Sequence, residues 1–136
     1  MTGVQTCALP ISAAVLAQTH ADGLMIGRSA QGRPWIFKEI EHYLRTGELL
    51  PQIDLNTRLK LIYSHLVKLH SFYGDVKGVW YARKHVAAYV KELLESREFM
   101  KHFNTIETPA AQLDCLTAYL TLLDEDLVSE QGAEAA

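Results

Sequence analysis

Hydrophobic positions recur every three or four residues along most of the chain, which is the spacing of one face of an α-helix. The first such stretch ends near residue 20. A second begins at Pro34, where a missing N–H costs nothing at a helix start, and ends at Gly47. Its predicted apolar face consists of Ile36, Phe37, Ile40, Tyr43 and Leu44.

Most of the chain between residues 55 and 128 is predicted to be helical. A long helix has Asp54 or Asn56 as its N-cap and ends at Gly74, and another covers residues 76–96. A short helix follows over residues 97–103, and Thr108-Pro109 opens the last one. Leucines of that last helix alternate three and four residues apart, which is typical of a packing seam between helices: Leu113, Leu116, Leu120, Leu123 and Leu127. We therefore expect a small antiparallel bundle from about residue 55 onward and a disordered tail over residues 129–136.

Residues 22–27 break the helical pattern. They form a brief apolar run, Asp-Gly-Leu-Met-Ile-Gly, which favours a buried strand over a helix. A strand, a glycine and then a helical turn is the way α/β barrels build a phosphate site, because glycine lets the anion approach the free N–H groups of the turn. Gly27 and Arg28 are the candidate residues, and a plain tight turn is the alternative.

Composition limits the class of protein. The chain has 136 residues, 49% of them hydrophobic and 21% charged, which is a globular composition. A complete (β/α)₈ barrel needs about 250 residues. No run of 18 apolar residues occurs, so the pattern excludes a spanning helix. The two cysteines, Cys7 and Cys115, cannot build a disulfide framework, so a reducing compartment such as the cytoplasm is expected. No metal site, nucleophilic triad or P-loop is indicated.

Charge is unevenly distributed. Residues 55–104 carry nine Lys or Arg and four acids, whereas residues 105–136 carry seven acids and no Lys or Arg. Within the basic segment, Lys77, Lys84 and Lys91 are spaced by sevens and share a helix face with Tyr81. Such a row can follow phosphates while the ring offers a stacking surface. The alternative is a solvated helix face.

Two further residues of this helix are candidates. Arg83 lies among apolar positions, so its guanidinium needs a partner to offset desolvation. That partner is either a structural carboxylate, or a phosphate or cofactor bound in a neighbouring groove. His85 lies on a different face, where a lone histidine is expected to be a structural residue.

The string Ala-Asp-Gly-Leu-Met-Ile-Gly-Arg-Ser-Ala-Gln-Gly-Arg-Pro-Trp-Ile-Phe, residues 21–37, resembles the last barrel strand and following loop of bacterial tRNA-dihydrouridine synthases of the B-like type. The similarity continues through residues 35–50, His-Ser-Phe-Tyr-Gly at 70–74 and Ala-Arg-Lys-His at 82–85, and covers residues 13–128.

This resemblance implies the remnant of a TIM barrel over residues 13–46 and a tRNA-binding helical domain over residues 47–128. It implies that Gly27 and Arg28 contact the phosphate of FMN. It also implies that NADPH reduces the flavin and that hydride then passes from the flavin to the uracil C5=C6 bond. The expected partner is tRNA, with no membrane, and the full-length enzyme is expected to be a cytoplasmic monomer. The predicted RNA contacts are Lys77, Tyr81, Arg83, Lys84, His85 and Lys91.

Departures from the family pattern bear on activity. The family's catalytic cysteine lies in an Asn-x-Gly-Cys-Pro setting, which neither Cys7 nor Cys115 has. Cys115 lies on the leucine helix and is predicted to be a small structural residue. Residues 1–12 resemble a translated sequencing-adapter oligonucleotide and are expected to be non-native. We therefore expect a C-terminal fragment with no catalytic residue of its own, which is inactive alone.

Two other functions remain open from the sequence. A basic helical module that binds structured RNA without chemistry explains the basic segment. Another FMN-dependent barrel oxidoreductase, reducing a dihydroorotate or enoate, explains Gly27 and Arg28 but not the basic bundle. A helical scaffold whose charges only keep it dispersed in water is a third possibility.

Overall fold

The computed structural model describes residues 3–134, with side chains from residue 9 to residue 133. Its elements are α1 (Gly3–Thr19), a 3₁₀ turn (Arg28–Ala30), α2 (Ile36–Thr46), α3 (Leu55–Val90), α4 (Ser96–Phe103) and α5 (Pro109–Glu134). The residue contacts within the chain divide it into two units, and the boundary in the sequence lies between Gln52 and Ile53. This boundary lies six residues beyond the predicted one at 46/47. Each unit is described separately below.

The first unit has a small core between α1 and α2. Leu9, Ile36 and Ile40 are buried together, and Ile26 and Tyr43 pack partly against them. The predicted second helix is confirmed, because α2 ends where Gly47 takes a left-handed backbone conformation with φ 72°. Its predicted apolar face is only partly buried: Phe37 and Leu44 remain 53% and 42% exposed.

The strand predicted over residues 22–27 is wrong. The structure gives these residues no regular secondary structure, and Met25 is 95% exposed. A strand is stable only when its N–H and C=O groups pair with a neighbouring strand. The described part of the chain forms no strand, so the apolar run has nothing to pair with. The prediction of a mostly helical chain is confirmed, whereas the barrel remnant stays a prediction.

The second unit is built on a helical hairpin within α3. Gly74 has φ 82° and ψ 176°, so it separates a first arm, residues 55–73, from a second arm, residues 75–90. The N-cap is Asp54, whose Oδ1 accepts a 2.7 Å hydrogen bond from the Thr57 N–H. The arms approach closely at Gly78, where a Cβ atom would lie 2.8 Å from the Cα of His70. The predicted stop at Gly74 and one of the two proposed caps are confirmed.

The second arm ends earlier than predicted. It was expected to run to residue 96, but it ends at Val90, and Glu95 takes a left-handed conformation with φ 56°. The Tyr119 hydroxyl donates a 2.6 Å hydrogen bond to the Leu94 carbonyl, an acceptor that a continuing helix would use for itself. A contact with α5 therefore helps to hold the turn that ends the arm.

The last helix closes the bundle through its leucines. Leu116 and Leu120 are buried, Leu113 and Leu123 are half-buried, and Leu127 is 48% exposed. The helix begins at Pro109, as predicted, but continues to Glu134, where a disordered tail was expected from residue 129. Glu, Gln and Ala are common in this last stretch and favour a helix without tertiary packing.

Candidate functional site

The predicted lysine row lies on the exposed side of the second arm. Lys77 and Lys84 are exposed, and Lys91 is exposed at the C-cap, where its backbone still has helical φ and ψ. At about 100° per residue, these three positions fall within a narrow strip of the helix surface. Trp80 and Tyr81, 58% and 48% exposed, flank that strip on its two sides.

Aromatic rings from the first arm extend this face. The ring centroids of Tyr73 and Tyr81 are 4.6 Å apart, and Phe72 meets Tyr73 edge-on at 4.8 Å. Phe72 is 80% exposed. Phe72, Tyr73 and Trp80 are not among the residues that the sequence predicts to contact RNA. A signal that could have found them is that two adjacent aromatic residues precede the glycine that ends the helix and two more follow it. Phe72 and Tyr73 come before Gly74, and Trp80 and Tyr81 come after it.

Arg83 has a partner other than the two that the sequence suggested. Its Nη2 donates a 3.1 Å hydrogen bond to the backbone carbonyl of Ile106, in the segment between α4 and α5. The side chain is half-buried, and its Nε is buried without a hydrogen-bond partner. This contact gives Arg83 a structural role between the second arm and the α4–α5 connection. Its RNA contact stays a prediction.

His85 packs against another histidine. Its ring centroid lies 4.8 Å from that of His65, whose Nδ1 is 2.9 Å from the Tyr89 hydroxyl. Burial, and then the nearby charges of His85 and Lys68, lower the pKa of His65 below its usual 6.5. Burial and the charge of Lys84 lower the pKa of His85 in the same way. Both rings therefore favour their neutral form. The two histidines are twenty residues apart in the sequence, which gave no reason to expect this contact.

A buried polar connection joins both arms to α5. His70 Nε2 lies 2.8 Å from Gln112 Oε1, and Gln112 Nε2 donates a 3.1 Å hydrogen bond to the Val79 carbonyl. Gln112 is fully buried. Because a buried amide without partners is costly, this pairing fixes how α5 lies on the hairpin. Because Gln112 and His70 are buried, this connection is not part of the exposed face.

The predicted phosphate residues lie in the first unit. Gly27 precedes the 3₁₀ turn, both Gly27 and Arg28 are exposed, and no atom lies within 4 Å of the place where a Cβ on Gly27 would stand. The first N–H groups of such a turn have no partner inside it. These N–H groups and the Arg28 guanidinium are donors of the kind that phosphate accepts, so the residues present fit the phosphate of FMN.

Nearby, Arg33 forms an ion pair with Glu39. This pair holds the loop after the 3₁₀ turn against α2. The structure does not bring Gly27 or Arg28 into one unit with the lysine row, since the former belong to the first unit and the latter to the second.

Other kinds of site receive no support from the described residues. Among them, no group of three or more His, Cys, Asp or Glu side chains could hold a metal ion. Burial raises the pKa of the Cys115 thiol, which opposes a reactive thiolate. None of the helices in the described range is long and apolar enough to cross a membrane.

Comparison with known proteins places the chain in a family. The family model for dihydrouridine synthase (Dus) matches residues 11–125. The chain is 49% identical over 123 residues to tRNA-dihydrouridine synthase B of Pseudomonas putida, a match covering 90% of this chain and 36% of the relative. It is 54% identical over 106 residues to the proteins of the same name from Serratia marcescens and Escherichia coli, covering 78% of this chain and 32% and 33% of theirs.

The chain therefore belongs to the dihydrouridine synthase family. It spans about a third of the length of the curated relatives that it matches. The expected family resemblance is confirmed, and the family match begins within the last two residues of the segment 1–12 that was expected to be non-native.

Proposed function

We propose that this chain is the C-terminal part of a flavin-dependent tRNA-dihydrouridine synthase, an enzyme that reduces uridine in tRNA to 5,6-dihydrouridine. The family match over residues 11–125 carries the proposal. It favours this function over another FMN-dependent barrel oxidoreductase and over an unrelated RNA-binding module, because the relatives are named for tRNA dihydrouridine synthesis.

The second unit is proposed to bind tRNA through the exposed face of the hairpin. Lys77, Lys84 and Lys91 would contact phosphates, and Tyr81 would contact a base. Arg83 and His85 would contribute at the edge of this face, although both already have protein neighbours. An enzyme that acts on a base within folded RNA must bring that base out of its stack, and a firm hold on the surrounding RNA supports that step.

The first unit is proposed to contribute to flavin binding. Gly27 and Arg28 would hold the FMN phosphate through backbone N–H groups and the guanidinium. When bound, FMN reduced by NADPH supplies the hydride for uracil. Neither Cys7 nor Cys115 lies in the Asn-x-Gly-Cys-Pro setting of the catalytic residue, so this chain alone should be inactive. We place the full-length enzyme in the cytoplasm as a monomer.

Binding of the 136-residue chain to an unmodified tRNA transcript, measured across a salt series, tests the proposal. A duplex RNA with the same number of nucleotides serves as the comparison. We expect tRNA to bind more tightly than the duplex, with an affinity that falls as salt rises. Lys84→Glu should weaken binding and reduce the salt slope by about one. Lys38→Glu, the same charge change at an exposed position of α2, is the matched control and should leave both unchanged.

Absence of tRNA binding below about 100 μM at low salt would contradict the proposal, since even non-specific binders commonly reach that range. An equal loss in Lys84→Glu and Lys38→Glu would show that net charge, and not the hairpin face, is responsible.

A further inference from the structure

The Gly74 turn brings exposed aromatic residues from two separate pieces of sequence to one end of the hairpin. Phe72 and Tyr73 end the first arm, Trp80 and Tyr81 lie on the second, and the Tyr73 and Tyr81 rings are 4.6 Å apart. We call these four residues the aromatic tip: ring contacts join Phe72, Tyr73 and Tyr81, and Trp80 lies on the other side of the lysine strip. The hairpin geometry creates this surface, because a straight helix would place residues 73 and 81 about 12 Å apart along its axis.

The aromatic tip is unusually open to solvent. Phe72 and Trp80 are 80% and 58% exposed, and Tyr73 and Tyr81 are each a little under half exposed. Val76, between the two pairs, is 61% exposed. Large aromatic side chains gain most by leaving water, so a group of them on a surface marks a place where something else packs.

Positive charge surrounds the aromatic tip and indicates the chemistry of the partner. Lys77 and Lys84 lie between Trp80 and Tyr81 around the second arm, and Lys68 lines an open groove that runs along the first arm to Phe72 and Tyr73. Across all of α3, six Lys or Arg residues accompany one acid, Asp75. The complementary partner carries negative charge and flat apolar faces together, as an unpaired nucleotide does.

We propose that the aromatic tip binds unpaired nucleobases of RNA by stacking, while the adjacent lysines contact the flanking phosphates. This inference rests on the proposed RNA-binding function and adds that the second unit reads single-stranded loops and not only duplex phosphates. Bases inside a duplex have both faces covered by their neighbours, so only splayed or looped bases reach the rings.

The test compares a single-stranded RNA with a duplex, using the full 136-residue chain. The probes are a twelve-residue oligouridylate and a blunt duplex of the same nucleotide count. Phe72→Leu and Trp80→Leu keep an apolar side chain but remove the ring, and both positions are exposed enough to tolerate the change. Phe37→Leu removes a ring that is 53% exposed in α2 and is the matched control.

We expect the chain to prefer the single strand, and each tip variant to bind it about fivefold more weakly or worse, the lower end of what one stacked base contributes. Duplex binding and the salt slope should stay unchanged in these variants, because the lysines remain. Phe37→Leu should bind both probes as the parent chain does.

Three outcomes overturn the inference. If Lys84→Glu weakens RNA binding but the tip variants do not, the tip does not stack on bases, and the proposed function survives. A second outcome is that the parent chain sediments as a dimer, whereas the tip variants sediment as monomers and bind the single strand as tightly as the parent chain does. The tip is then a self-association surface. If neither tRNA nor the oligouridylate binds at all, the RNA-binding function fails together with the inference.

Discussion

At the scale of single residues, His65, His85 and Tyr89 form a cluster whose pKa values are shifted by burial. The centroids of the two histidine rings lie 4.8 Å apart, so a positive charge on His85 disfavours protonation of His65. Burial raises the pKa of the Tyr89 hydroxyl, which therefore keeps its proton and can donate to a neutral His65 Nδ1. Lys68 and Lys84 add positive charge beside the pair. Burial and these nearby positive charges therefore favour neutral histidines in the folded protein.

This arrangement predicts a loss of stability in mild acid. Because the pKa values of both histidines are lowered in the folded state, the unfolded chain binds protons first as pH falls. The free energy of unfolding should be constant above about pH 7 and should decrease below about pH 6.5, where unfolded histidine titrates. His85→Gln should show a smaller decrease between pH 7.5 and 5.5, measured by urea unfolding with circular dichroism.

His102→Gln replaces a histidine that is exposed on α4, outside the pair, and provides the control, in which the loss of stability attributed to the pair should remain. An unchanged pH dependence in His85→Gln would show that the histidine pair does not couple protons to folding.

At the scale of elements, the hairpin in α3 depends on two glycines for different reasons. Gly74 provides a backbone conformation, φ 82°, that other L-residues rarely adopt. Gly78 provides space, because a Cβ there would lie 2.8 Å from the Cα of His70 and 3.0 Å from the Leu69 carbonyl oxygen. These neighbours are backbone atoms and cannot move aside as a side chain would. The close approach of the two arms at Gly78 lets Tyr73 of the first arm meet Tyr81 of the second.

Gly78→Ala is therefore expected to destabilise the second unit although it improves helix propensity. Forcing a methyl group into a packed contact costs about 1–3 kcal/mol. Urea unfolding followed by circular dichroism measures the change in the free energy of unfolding. Gly132→Ala, in α5 with no atom within 4 Å of the added Cβ, is the control and should be neutral or stabilising by less than about 1 kcal/mol. Equal stability of the two variants would mean that the arms separate easily at Gly78.

At the scale of the whole molecule, opposite charges are segregated by element. The hairpin α3 carries six Lys or Arg residues and one acid, whereas α5 carries six acids and no Lys or Arg. The net charge of −3 therefore conceals a surface suited to a polyanion. Residues 22–27 of the first unit form no regular structure, whereas α3 to α5 of the second unit are helical.

Amide hydrogen exchange of the whole chain should display this difference. Residues 22–27 should exchange at nearly unprotected rates, because their N–H groups lie outside any helix or strand, while the arms of α3 and the part of α5 up to residue 125 should be protected. Mass spectrometry after proteolysis resolves the segments. Strong protection across residues 22–27 would contradict the described structure and would indicate strand pairing, as between two copies of the chain.

Much of the helical layout could be predicted because its signals are local. Asp54 bonds to an N–H three residues away, Gly47 and Gly74 end helices through their own backbone, and Pro109 opens α5 from within its first turn. The end of the second arm could not be predicted in this way. Residues 91–95 contain nothing that stops a helix by itself, and the turn is held in part from α5 by Tyr119.

The sequence by itself determined the helical class, the helix starts and glycine stops, and the lysine row, because each depends on residues within a few turns of one another. It also determined the family, because strings such as residues 21–37 and 82–85 are compared residue by residue, without reference to the fold. Tertiary structure decided the pairings between distant residues: His65 with His85, Arg83 with the Ile106 carbonyl, and Tyr73 with Tyr81. It also decided that residues 22–27 form no strand. The physical reason is the same in each case: these outcomes depend on a partner supplied, or not supplied, by a remote segment, and periodicity along the chain carries no information about that partner.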